Sequence, residues 1–162
     1  MAADWINRRR EKLEQDRQDA ALEAAKERLT TLAIRADVPI FWASLLPELN
    51  EQCGDLDEIG FKAEAYPLDN PFHTDEKTYR ISVQTKGHWP VDAHASLIHF
   101  TGSSVIRVSS NIPKLTEISL YVTERGIMAV SNKELRQMDV KGLAAYLLEG
   151  LVEAIEKERR MQ

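Results

Sequence analysis

The chain has 162 residues, of which 43% are hydrophobic and 29% charged. That is enough apolar material for one packed core and too much for wholesale disorder. Lys plus Arg number 21 against 26 Asp plus Glu, a formal net charge of −5, so the chain lacks the positive field of a general polyanion binder and nucleic acid is not an expected partner.

The single cysteine, Cys53, can form neither an intramolecular disulfide nor a CxxC metal knuckle, and a cytoplasmic location is expected. Met1 to Ile6 leads into Arg8-Arg9-Arg10 with no apolar segment behind the charges, unlike a secretory signal. No run reaches the roughly 18 consecutive apolar residues of a membrane-spanning helix. Contact with a membrane is therefore not expected.

From Asp4 to Arg35 there is no Pro or Gly, and Ala, Glu, Leu, Arg, Lys and Gln dominate. These residues lose little side-chain freedom in a helix, and the segment reads as one long helix. Leu13 is the only large apolar residue between Asn7 and Asp19, whereas Leu22, Ala25, Leu29, Leu32 and Ala36 recur at three- and four-residue steps and form a burial stripe. Residues 1–20 read as a helical extension that projects from a single domain of residues 1–162 or packs on a partner, with Trp5, Ile6 and Leu13 as its apolar contact residues. Residues 1–35 hold eight Lys/Arg and seven Asp/Glu, so a solvated or coiled-coil helix face fits them better than a nucleic-acid footprint.

Asp37 stands as an N-cap with Pro39 in the following first turn, which predicts a corner at Ala36-Asp37 and a second helix. Phe41, Trp42, Leu45, Leu46, Leu49 and Cys53 form its apolar side, and Gly54 is placed as its C-terminal stop.

Beyond Gly54 the period shifts to two. Alternation at Phe61 to Tyr66, Tyr79 to Gln84, Ala93 to Phe100, Ser104 to Ser109, Thr116 to Thr123 and Ile127 to Val130 predicts an antiparallel meander sheet of about five strands. Pro67 to Lys77, with two prolines, reads as a long mobile loop. Gly102-Ser103 and Arg125-Gly126 read as hairpin turns. Ser131 with Glu134 fits a capping box, and Asp139 offers an alternative helix start. Val140, Leu143, Ala144, Leu147, Leu151, Val152 and Ile155 make one apolar face of a C-terminal amphipathic helix packed on the sheet. Two N-terminal helices, a meander and a final helix define an α+β domain.

All four histidines, His73, His88, His94 and His99, fall within 27 residues that also contain Asp75 and Asp92. Asp92 and His94 share one face of a strand, with His88 and Trp89 in the preceding turn, so this segment is the candidate ligand-binding site. His99 has the opposite parity. There is no HExxH helix, no nucleophile elbow and no glycine-rich phosphate loop. No metal, other cofactor or catalytic set is expected. Trp42 reads as core, and Cys53 as a buried, inert thiol.

The expected function is thus a non-enzymatic protein-interaction module, adaptor- or chaperone-like and homodimeric, joined through the long helix or an open sheet face and binding a protein partner. The alternative is a small-ligand binder or hydrolase using the His88, Asp92 and His94 region.

Overall fold

The computed structural model describes residues 3–69 and 71–161. The chain divides into two units, Met1–Ala33 and Ile34–Gln162. Helix α1 spans Asp4–Asp57, so the first unit is helical throughout its described length apart from Ala3.

The second unit is α+β. It contains the C-terminal part of α1, six strands and helix α2. The strands are β1 (Phe61–Leu68), β2 (Glu76–Thr85), β3 (Asp92–Phe100), β4 (Val105–Ser110), β5 (Glu117–Thr123) and β6 (Gly126–Ser131), and α2 covers Val140–Met161. Every strand pairs antiparallel with its neighbour in sequence, in the order β1-β2-β3-β4-β5-β6. Short connections between consecutive strands impose this meander.

Two predicted helices are in fact one. Pro39 and Pro47 both lie inside α1, although an internal proline removes a ladder hydrogen bond and costs about 3 kcal/mol. The carbonyls that lose a donor belong to Arg35 and Ala43, both solvent-exposed residues. The offsetting gain is the burial of Val38, Phe41, Trp42, Leu45, Leu49 and Cys53 along one side. Gly54 does not stop the helix either, because the residue with positive φ is Gly60, at 92°. Joining the two segments has a further effect: one 18-residue window of α1 reaches a mean hydropathy of 1.3 with 22% of it buried. By length and composition alone, that window matches a membrane span.

The sheet has six strands where about five were expected, one for each alternating segment, and Gly126–Ser131 pairs along its whole length with β5. β1 extends through Pro67, which pairs with Tyr79. An edge strand tolerates proline because one side of its backbone needs no partner. The expected Pro67–Lys77 loop therefore shrinks to residues 69–75. Thr101 ties it down, its backbone N–H and hydroxyl donating to the Asp75 carbonyl oxygen at 2.8 and 3.2 Å.

Alternation along the strands leaves one face covered. Ile81, Val83, Ala95, Leu97, Ile106, Ile118 and Leu120 are buried there with Leu143, Leu147, Leu151 and Ile155 of α2. Ile118 and Leu120 thus belong to the covered side, while Tyr66, Phe100 and Val122 are exposed. Helix α2 starts at the Asp139 cap, whose carboxylate accepts from Gly142 N–H at 2.7 Å. At Ser131 half of the expected capping box forms: the hydroxyl accepts from Glu134 N–H at 3.0 Å. No helix follows it, because residues 136–138 turn back to the sheet, where Met138 bridges Ala129.

Candidate functional site

The second unit holds a cavity of about 650 Å³ between α1, the β1–β2 end of the sheet and the β3–β4 turn. Its walls come from four pieces of chain. Helix α1 supplies Ile34, Arg35, Val38, Trp42 and Leu46, β2 supplies Lys77 and Tyr79, Pro67 of β1 and Asp69 just past it form a third wall, and His99 of β3 with Thr101, Gly102 and Ser103 of the turn form the fourth.

Strand parity explains the buried groups. Tyr79 and His99 occupy covered-face positions of β2 and β3, so ring and hydroxyl enter the region beside α1 where aliphatic residues otherwise sit. The Trp42 and Tyr79 rings stack with centroids 4.0 Å apart and planes 5° from parallel. Tyr79 Oη donates to the Trp42 carbonyl oxygen at 3.0 Å. His99 lies against the same indole, centroids 5.3 Å apart. Its Nε2 is 2.8 Å from the Ser103 carbonyl oxygen. Because a carbonyl only accepts, Nε2 carries a proton and donates it there. Burial pushes the Tyr79 phenol above its ordinary range.

Trp42 is 3% exposed, and its indole Nε1 is buried without a hydrogen-bond partner among the described residues. An unmade buried donor costs about 1–3 kcal/mol and is uncommon in native folds. Around the floor of Val38, Trp42, Tyr79 and His99 stands an exposed rim that includes Arg35, Asp69, Lys77 and Thr101. Neither Arg35 nor Lys77 forms an ion pair among the described residues, where Lys86 with Asp57 is the pair present.

The segment read as a ligand site lies elsewhere. His88 is exposed in the β2–β3 connection and Trp89 is 92% exposed. Asp92 and His94 share the open face of β3, opposite Gln84 and Ser82. His94 N–H donates to Asn111 Oδ1 at 2.8 Å. No group of three or more metal-ligating side chains occurs among the described residues. Of the four histidines, His99 alone lines the cavity. The sequence carried a signal for it, namely its opposite parity from His94, which places an imidazole on the covered face.

The other apolar candidates lie on α1. Trp5, Ile6 and Leu13 are exposed, and so are Leu22 (57%), Leu29 (67%) and Leu32 (59%). The stripe that reads as buried in the sequence is therefore exposed. At 3.6 residues per turn, Leu22, Ala25, Leu29 and Leu32 fall on one side of the helix, with Ile6 and Leu13 on nearly the opposite side. Cys53 is buried, and burial together with the Glu64 carboxylate pushes its thiol up to about 11.

Compared with known proteins, the chain matches no family model, no curated protein and no solved structure.

Proposed function

We propose that the protein is a non-enzymatic interaction module, adaptor- or chaperone-like, that self-associates through the first unit of α1. One observation carries this reading: the leucine stripe Leu22, Ala25, Leu29, Leu32 is exposed along a helix. Apolar residues at a and d spacing bury themselves by pairing helices. With Leu22 and Leu29 as a positions and Ala25 and Leu32 as d positions, the flanking e and g positions are Ala21, Lys26, Arg28 and Ala33. In a parallel in-register pair, Lys26 faces Ala21 of the second copy and Arg28 faces its Ala33, so no like charges meet. An antiparallel pair centred on the stripe instead brings Lys26 to Lys26 and Arg28 to Arg28. A parallel homodimer is the arrangement these residues favour.

Ile6 and Leu13, on the other side of the helix, would remain open in such a dimer and, with the exposed Trp5 next to them, offer a contact to a protein partner. Among the described residues there is no set of three metal ligands to support a metalloenzyme, and the reading needs no cofactor. The test is sedimentation equilibrium of the full chain beside a Leu22→Lys/Leu29→Lys variant. Both positions are exposed, so the variant should keep its fold while its mass falls from dimer to monomer. A monomeric wild type, or an unchanged dimer in the variant, would overturn the proposal.

A further inference from the structure

We infer that the cavity beneath α1 binds a small amphipathic carboxylate, with its apolar body on Trp42 and its anionic group at Arg35 and Lys77. Three independent features point to that chemistry. A volume of about 650 Å³ falls within the range of small-molecule sites. Its floor combines Val38 with the stacked Trp42 and Tyr79 rings, a surface suited to an aromatic or aliphatic body. Its rim holds two cations that no described carboxylate neutralises by ion pairing, against one acidic residue, Asp69.

The Arg35 guanidinium is built for charge-assisted bonds to the anion. His99 Nε2 is already held by Ser103, which fixes the ring and leaves Nδ1 as the remaining polar atom of that side chain. A lipid surface would present a similar anion, but Val38, Trp42, Tyr79 and His99 are buried, which favours a free molecule that can enter.

The experiment is isothermal titration calorimetry of the full chain near neutral pH with octanoate and 2-naphthoate, beside the neutral 1-octanol and 2-naphthol and beside acetate. At least one of the two acids should bind at one site per chain, about tenfold or more tighter than its neutral counterpart, and acetate should give no heat. An Arg35→Ala/Lys77→Ala variant changes exposed side chains only. It should lose that preference for the acid. Ala43→Trp, at an exposed helix position lining the cavity, should block binding while the melting temperature stays near that of wild type. Failure of both acids to bind, equal binding of acid and neutral analogue, or full binding in either variant would overturn the inference. None of these outcomes bears on self-association, which is read separately from mass.

Discussion

Trp42 and Tyr79 are joined twice: their rings stack 4.0 Å apart, and the Tyr79 hydroxyl donates to the backbone carbonyl of Trp42 itself. One side chain on β2 thereby fixes both the ring and the main chain of α1. It does so within the stretch between Pro39 and Pro47, where the helix ladder is weakest.

Tyr79→Phe keeps the stack and removes the hydrogen bond, so urea denaturation should show a loss of about 0.5–1.5 kcal/mol. The pH dependence has a definite sign. Burial raises the folded-state value of this phenol, so the unfolded chain ionises first. The contribution is fully present below the ordinary tyrosine value of about 10 and is lost as pH rises through the folded value. Wild type should lose stability across that alkaline window, and Tyr79→Phe should lose less.

Leu147 is fully buried on the sheet-facing side of α2. Its truncation to Ala should cost about 2–5 kcal/mol. Chemical denaturation decides this, and a change near zero would mean that α2 is not packed as described.

Two glycines inside helices should respond oppositely to the same substitution. A Cβ at Gly54 meets nothing within 4 Å, so Gly54→Ala should stabilise by about 0.5–1 kcal/mol through helix propensity alone. A Cβ at Gly150 would come within 2.8 Å of Ile112 Cδ1, a residue that is itself buried. Gly150→Ala should therefore lose that gain and destabilise. Melting temperatures of the two variants, measured side by side, make the comparison.

The same contrast between local and tertiary effects separates the legible parts of the fold from the rest. The Leu143, Leu147, Leu151 stripe and the Asp139 cap are local patterns, and α2 follows from them directly. Strand parity likewise separates His94 from His99 on residue order alone. The Ala36-Asp37 corner does not form: Asp followed by Pro is a sound local start signal, but the burial of Val38 and Trp42 that sustains a continuous helix is tertiary. The stop signal at Gly54 is overridden for the same reason. The cavity has no local signature, because Arg35, Trp42, Tyr79 and His99 are far apart in sequence and meet only through the β2–β3 register and the Trp42 stack. The leucine stripe of α1 is visible in the residues, but its spacing reads as burial where the side chains are exposed.

Cys53 should be inert. With its thiol pushed up to about 11 by burial and Glu64, the folded protein should react with iodoacetamide far more slowly near neutral pH than the urea-unfolded chain. Comparable rates in the two states would contradict its burial.

That inertness makes the central claim open to a direct measurement. In a parallel pair, Leu32 sits at a d position facing Leu32 of the second copy, close enough for a disulfide once both are cysteine. Mild oxidation of the Leu32→Cys full chain, read by non-reducing electrophoresis beside wild type, should give a covalent dimer in the variant and none from the buried Cys53 alone. A variant that remains monomeric under oxidation would contradict self-association through the α1 stripe.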